Sequence, residues 1–309
     1  MTVPPFKNRI AFVVPTRNRR RDLFRMLHSI QAGSAYPDQI VIVDGGEELV
    51  GDVAQAFPQL PIDYERVYPP SLSAQRNAGM ARLRPEITLA GYLDDDLVLQ
   101  PDAVEAMLRF WESARPGTGG ASFNIISDRR PRATAIKGLL LLDAPRRGAV
   151  LASGYHTMIC PVEATIQVQW LFGGATVWRR EVIREFQYDE WFHGTGFLED
   201  VDYSYRVGKK YELMVVADAR LDHLSWPIRR EMNYTLGKWQ VVNRYYFVRK
   251  HAELSRAGFW WAMLGQMVVN AAKALVDRDR GMANRAAGNL AGAAALAFGR
   301  RERIGGILR

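Results

Sequence analysis

Cysteine is almost absent from this 309-residue chain: Cys160 stands alone. A single thiol excludes an intrachain disulfide and a cysteine-based zinc site, and it suits a reducing compartment. Residues 1–8 lack the apolar core of a secretion leader, so a cytosolic start is expected. No Gly-x-Gly-x-x-Gly follows an early strand, which sets aside the dinucleotide-binding dehydrogenases. No internal repeat is visible either. What is present is apolar mass: 48% of residues are hydrophobic, enough for a sizeable core and against global disorder. The length suits one large domain, or a catalytic domain with an appendage.

Excess positive charge is confined to one region. Residues 226–309 hold fifteen Lys/Arg against five Asp/Glu, a net of +10. The other 225 residues hold twenty-six against twenty-eight, a net of −2. A basic terminal quarter points to a polyanionic partner, either a membrane surface or nucleic acid. No groove-fitting element accompanies it, so nucleic acid is not expected.

The first hundred residues alternate strand and helix patterns. Ile10-Ala11-Phe12-Val13-Val14 and Gln39-Ile40-Val41-Ile42-Val43 are continuous apolar runs that suit buried parallel strands. Between them Leu23, Met26, Leu27 and Ile30 share one face of a helix over 20–31. A helix around 49–57, a strand at 63–67, a helix over 73–83 and a strand ending at Leu93 follow. Such units predict a right-handed, mostly parallel sheet flanked by helices. Residues 115–165 look irregular, and 167–178 reads as one strand interrupted by Gly173-Gly174. A helix over 199–209 and a strand over 212–217 precede a change of composition near 225–230. Helices are expected over 230–250, 259–276 and 283–298. The division expected is a catalytic domain over 1–228 and a basic helical extension over 229–309.

Polar clusters close the strands. Asp94, Asp95 and Asp96 end the run Ile87–Leu93 and place hard oxygen ligands at the carboxyl edge of the sheet, where α/β proteins bind ligands. In an extended triplet Asp94 and Asp96 share a face and can converge on a divalent cation; the alternative is an acidic turn opening the next helix. Pro15-Thr16-Arg17-Asn18, Asp44-Gly45-Gly46 and Gln75-Arg76-Asn77-Ala78-Gly79 lie at comparable ends, and Glu199-Asp200-Val201-Asp202 lies downstream.

In that order, over residues 10–225, these clusters resemble the inverting nucleotide-sugar glycosyltransferases of family 2, which have the GT-A fold. The resemblance covers about 70% of the chain. It implies that Asp44 hydrogen-bonds the nucleotide base, unless it caps the next helix, and that Pro15, Thr16 and Arg17 wall the nucleotide pocket. Gly45-Gly46 stand where the family usually has an acid and a serine. Arg76 and Asn77, read as starting a helix, would take phosphate oxygens, unless Arg76 pairs with an aspartate. The triplet implies Mn²⁺ or Mg²⁺ held by Asp94 and Asp96, with Asp94 and Asp95 beside the nucleotide sugar and His223 as a further ligand. Asp200 is the implied general base, its proton affinity raised by Glu199. Trp170, Trp191 and His193 are candidates for acceptor contact as well as ordinary core residues.

The donor implied is a nucleoside-diphosphate sugar (UDP, GDP or dTDP), and the acceptor a hydroxyl of a lipid-linked or polysaccharide glycan. A nucleotidyltransferase of similar fold would carry glycines in its first loop, which Pro15–Asn18 lacks. A silent binding protein is the third reading. In the tail, Gln266, Asn270 and Lys273 recur along one side of an apolar helix with paired tryptophans and flanking Arg249, Lys250 and Arg256. That pattern suits a helix lying in a membrane interface, its polar stripe toward water. Packing on the catalytic domain or on a sister subunit, as a homodimer, is the alternative, and a true span is the third. The location expected is cytoplasmic, peripheral at the inner face of the cell membrane. Gly288 and Gly292, four apart, allow close helix packing.

Overall fold

The computed structural model describes residues 6–128, 134–192, 194, 196–224, 232–276 and 278–298. They divide into two compact units, residues 6–128 with 159–224, and residues 134–158 with 232–298. The irregular stretch before residue 159, read from sequence as part of the catalytic domain, thus packs with the C-terminal helices.

The chain runs β1 (Ile10–Thr16), α1 (Arg20–Gln31), β2 (Gln39–Asp44), α2 (Val53–Ala56), β3 (Ile62–Arg66), α3 (Leu72–Ala81) and β4 (Leu89–Leu93). It continues through β5 (Leu97–Leu99), α4 (Ala103–Ser113), β6 (Thr118–Ile125) and, in the second unit, α5 (Ala135–Leu139). Back in the first unit come β7 (Ile166–Val168), β8 (Ala175–Arg179), α6 (Arg180–Glu185), α7 (Glu199–Gly208) and β9 (Glu212–His223). Then α8 (Met232–Lys250), α9 (Arg256–Val276) and α10 (Arg280–Ala297) complete the second.

The first unit is a mixed α/β layer structure around one nine-stranded sheet, ordered β3-β2-β1-β4-β8-β6-β9-β5 with β7 also on β9. Strands β3, β2, β1 and β4 are parallel, as their strand–helix alternation requires. Every residue of β1 and β2 is buried, the outcome their unbroken apolar runs predict. Leu23, Met26, Leu27 and Ile30 form the buried face of α1, each burial favourable by about 1.5–3 kcal/mol. Beyond β4 the sheet is not parallel: β4–β8, β8–β6, β9–β5 and β9–β7 are antiparallel, and only β6–β9 is parallel. The expected mostly parallel sheet is therefore half right, because regular strand–helix crossovers between parallel neighbours end with α3 and β4. The single strand expected over 167–178 is two, β7 and β8, which lie in different places in the sheet.

The second unit is helical. Helix α8 runs close against α10 where glycines face backbone: a Cβ at Gly237 would overlap the Arg285 carbonyl, and one at Gly288 the Tyr234 carbonyl. Gly292 fits against Val241 and Lys238 at the same contact. Asn289, fully buried there, donates to the Gly237 carbonyl at 2.8 Å and to Gln240 Oε1 at 3.1 Å. Asn270 Nδ2 donates to Asn289 Oδ1 at 2.8 Å, and Gln266 Nε2 to Asn270 Oδ1 at 2.8 Å. The polar stripe of α9 is therefore divided: Asn270 is buried and faces α10, Gln266 is half-buried, and Lys273 is exposed. No helix among the described residues is long and apolar enough to cross a membrane, which removes the spanning reading for them.

Candidate active site

The ends of β1, β2 and β4 are tied together by side chains from the loops that follow them. Asn18, in the left-handed region at φ 54°, accepts from the N–H groups of Glu47 and Glu48 at 2.8 and 3.0 Å. Gln75 donates to the carbonyls of Thr16 and Val43 at 3.1 and 2.8 Å. Pro15 and Thr16 lie buried in β1, and Arg17 is exposed just beyond it.

The aspartate triplet is a turn between β4 and β5, not an extended segment, so its three side chains take different partners. Asp95 accepts from Thr16 Oγ1 at 2.7 Å and from Arg19 Nη1 at 3.2 Å. Burial pushes its carboxyl up to about 7 against the pull of Thr16 and Arg19. Asp96 accepts from Arg19 Nη1 at 2.9 Å and faces His223 Nε2 at 3.5 Å. Burial raises Asp96, but His223 and Arg19 outweigh it and hold the carboxyl below the usual carboxylate range. The same contact raises His223, whose ring also packs on Phe172. Asp94 instead accepts from Arg76 Nη2 at 3.2 Å. Arg19 escaped the sequence reading. The signal for it was the triplet itself, since adjacent carboxylates call for a cation.

Arg76 lies in the second turn of α3, not at its start, and is 1% exposed. Its Nη1 donates to Glu199 Oε1 at 3.0 Å, so one guanidinium bridges Asp94 and Glu199. The guanidinium lies 5.0 Å from the Tyr188 ring and 5.7 Å from the Tyr92 ring. Burial opposes its charge, yet Tyr188, Asp94, Glu199 and Asp200 outweigh burial and keep it protonated. Of the two readings given for Arg76, the pairing with an aspartate is the contact present: the side chain is covered and joins two acids. Asn77 is likewise engaged. Both amide hydrogens are used, on the Tyr188 carbonyl and Glu190 Oε1 at 3.0 Å each, and its oxygen accepts from Tyr188 N.

Asp44 has no exposed surface. Its oxygens accept from Gly46 N at 2.7 Å, Val50 N at 3.1 Å and the Tyr64 hydroxyl at 3.0 Å. Burial and this carboxylate push the Tyr64 hydroxyl up to about 12. Through these bonds Asp44 holds the 45–50 loop against the end of β2.

Glu199 and Asp200 open α7 behind Leu198, which adopts φ 73°. Asp200 accepts from Gly173 N at 3.1 Å and from Val201 N at 2.8 Å. Burial raises its proton affinity and Asp94 adds to the rise, while Arg76 and the two N–H groups oppose it. The main cause is thus burial, not the neighbouring Glu199. Glu199 is raised too, first by burial and then by Asp200. Gly173 and Gly174 matter here for want of a side chain. A Cβ at Gly174 would overlap the Asp94 carboxylate, and one at Gly173 would press on Asp200 and Arg76. The pair is a cradle for two acids, where the sequence reading saw only a strand interruption.

Trp170 is buried and does not present a face to an acceptor; Trp191 is partly exposed and packs edge-on against Phe192 at 5.4 Å. His193 lies outside the described residues. Among the described residues, no group of three or more His, Cys, Asp or Glu side chains is gathered to hold a metal ion. The donor types nevertheless fit a divalent cation: Asp96 Oδ1 is buried without a hydrogen-bond partner and faces the His223 imidazole, with Asp94 in the same turn.

No curated protein matches the chain in sequence. Solved structures do match in fold. TarS of S. aureus is 12% identical with a TM-score of 0.50, over 85% of this chain and 42% of that one. GalNAc-T7, solved with UDP, GalNAc and Mn²⁺, is 14% identical with a TM-score of 0.54, over 77% and 49%. The mannosyltransferase PcManGT of Pyrobaculum calidifontis, in complex with GDP-Man and Mn²⁺, is 16% identical with a TM-score of 0.53, over 95% and 84%. The chain therefore spans less than half of the first two proteins and most of the third. All three carry the GT-A-like arrangement of strands and helices, and at these identities they speak for fold alone. Sequence adds the rest: the profile of glycosyl transferase family 2 matches residues 11–185, more than half of the chain, and the chain belongs to that family.

Proposed function

We propose that this glycosyltransferase moves a sugar, with inversion, from a nucleoside-diphosphate donor to a hydroxyl of a glycan or lipid-linked acceptor. The observation that carries the reading is the convergence on Arg76 of Asp94, from the triplet turn, and Glu199, beside Asp200. That guanidinium holds a donor-side acid and a base-side acid at one place on the sheet edge, as a displacement reaction requires. The donor would lie along the carboxyl ends of β1 and β4, beside Thr16, Arg17, Asp94 and Asp95. Asp94, Asp96 and His223 carry the ligand types for Mn²⁺ or Mg²⁺, which would supply Lewis-acid stabilisation of the leaving diphosphate.

Asp200 is the base in this proposal. Its raised proton affinity brings a carboxylate closer to the operating pH, where proton acceptance is most effective. The acceptor hydroxyl gives its proton to Asp200 and its oxygen attacks the anomeric carbon from the face opposite the diphosphate. Glu199 and Arg76 position the base rather than take the proton. The neighbouring fold members solved with UDP or GDP-Man favour a nucleotide donor without choosing the base or sugar.

The test is a donor screen that follows nucleoside-diphosphate release with Mn²⁺, with and without lipid-linked acceptors. Release from one sugar nucleotide, falling by roughly 10²–10⁴-fold in Asp200→Asn, supports the assignment. No release from any UDP-, GDP- or dTDP-sugar would leave a silent binder instead.

A further inference from the structure

Helix α9 carries apolar residues on its outer face as well as its inner one. Its polar residues Gln266 and Asn270 point into the second unit, where Asn270 is 3% exposed and hydrogen-bonded to Asn289. Its outer face carries Trp260 and Trp261, 41% and 47% exposed, then Leu264 and Val268 at 58% and 59%, and Leu275 and Val276 at 80% and 81%. Spacings of four, four and seven from Trp260 to Leu275 place these side chains on one stripe. Helix α10 adds exposed Leu290 and Phe298, and α5 adds exposed Ile136 and Leu139. The end of α5 is fixed beside α9 by Trp261 Nε1, which donates to the Leu139 carbonyl at 2.9 Å. Phe259, Ala262 and Met263 already fill the inner face of α9, so this second, exposed apolar stripe is surplus to what packing within the unit uses.

Charge says what the face meets. Arg249, Lys250 and Arg256 lie at the turn between α8 and α9, and Lys273, Arg278 and Arg280 at the turn between α9 and α10. Glu253 and Asp279 are the only acids among the described residues of these turns. An apolar stripe with cations at both ends and paired tryptophans matches a bilayer with an anionic surface, in which acyl chains take the stripe and headgroup phosphates take the cations. A protein partner of neutral or apolar character would leave those cations unmatched. We infer that the α9 outer face, with α5 and the end of α10, docks on an anionic lipid surface. The lipid contact is thus on the opposite side of α9 from Gln266 and Asn270, of which Asn270 is buried against Asn289.

This inference goes beyond the transfer reaction, and vesicle binding reads it without turnover, so either can fail alone. The full chain is floated with vesicles of phosphatidylcholine, with or without phosphatidylglycerol. It is expected to rise with the anionic vesicles and to be released by added salt. Lipids brominated in the acyl chains should quench its tryptophan fluorescence, and Trp260→Phe with Trp261→Phe should remove that quenching. Leu264→Glu with Val268→Glu, at exposed positions, should lower the bound fraction by at least about tenfold with nucleoside-diphosphate release unchanged. Absence of flotation with either vesicle overturns the inference, as does flotation indifferent to the paired glutamates. A dimer in sedimentation that the same pair dissociates, with no vesicle binding, would assign the face to a second copy of the chain.

Discussion

Arg76 is the residue on which the site is most exposed to damage. Replacing it with Met leaves Glu199 and Asp94 without their buried cation, and removing one partner of a buried ionic pair costs about 3–5 kcal/mol. Urea unfolding should show that loss, and Arg76→Lys should recover only part of it, since one ammonium cannot reproduce a planar fork. Asp200 supplies a pH signature. A base must be deprotonated to work, and burial raises this one, so the acidic limb of kcat/KM should lie above the ordinary aspartate value of about 4. The rate should rise with pH through that limb, and Asp200→Asn should abolish the dependence; a limb at the ordinary value would show a solvated group instead. Single residues were only partly legible in the sequence. The Asp-Asp-Asp and Glu-Asp pairs were readable from residue type and order, and His223 does face Asp96. The internal partners of Arg76, Asn77 and Asp44 were not legible, because sequence gives a residue's address and not its burial.

At the scale of elements, glycines decide what can approach what. Gly174→Ala should displace the Asp94 carboxylate, and calorimetric titration should find weaker Mn²⁺ binding while the near-ultraviolet circular dichroism stays native. Gly288→Ala should destabilise the second unit by about 1–3 kcal/mol, the ordinary cost of overpacking, because its methyl group would overlap the Tyr234 carbonyl. Thermal melting followed by circular dichroism reads it. Elements with a strong period were legible: α1, β1 and β2 fall where the apolar pattern puts them. β6 was not, since Thr118-Gly119-Gly120 opens it without a β-branched or aromatic run. Nor was the face of α9, whose sequence pattern has a polar stripe but no sign of whether water or Asn289 meets it.

For the molecule as a whole, charge and topology come from different parts of the chain. The net of +10 over residues 226–309 is matched by nothing in the remainder, so association with anionic surfaces should weaken steeply with ionic strength as charges are screened beyond about 8–10 Å. If Asp94, Asp96 and His223 hold a cation, saturating Mn²⁺ should also raise the melting temperature of the first unit, by an amount that grows with the logarithm of metal concentration. A melt insensitive to Mn²⁺ would remove those three as ligands. The parallel half of the sheet was foreseeable from strand–helix alternation, whereas β8, inserted antiparallel between β4 and β6, comes from far along the chain and carries no local mark of its destination. Arg76 and Glu199 meet across 123 positions of chain. The turn after β4 and the first residue of α7 are thus pinned to one another through a single side chain, so a shift of either disturbs the other.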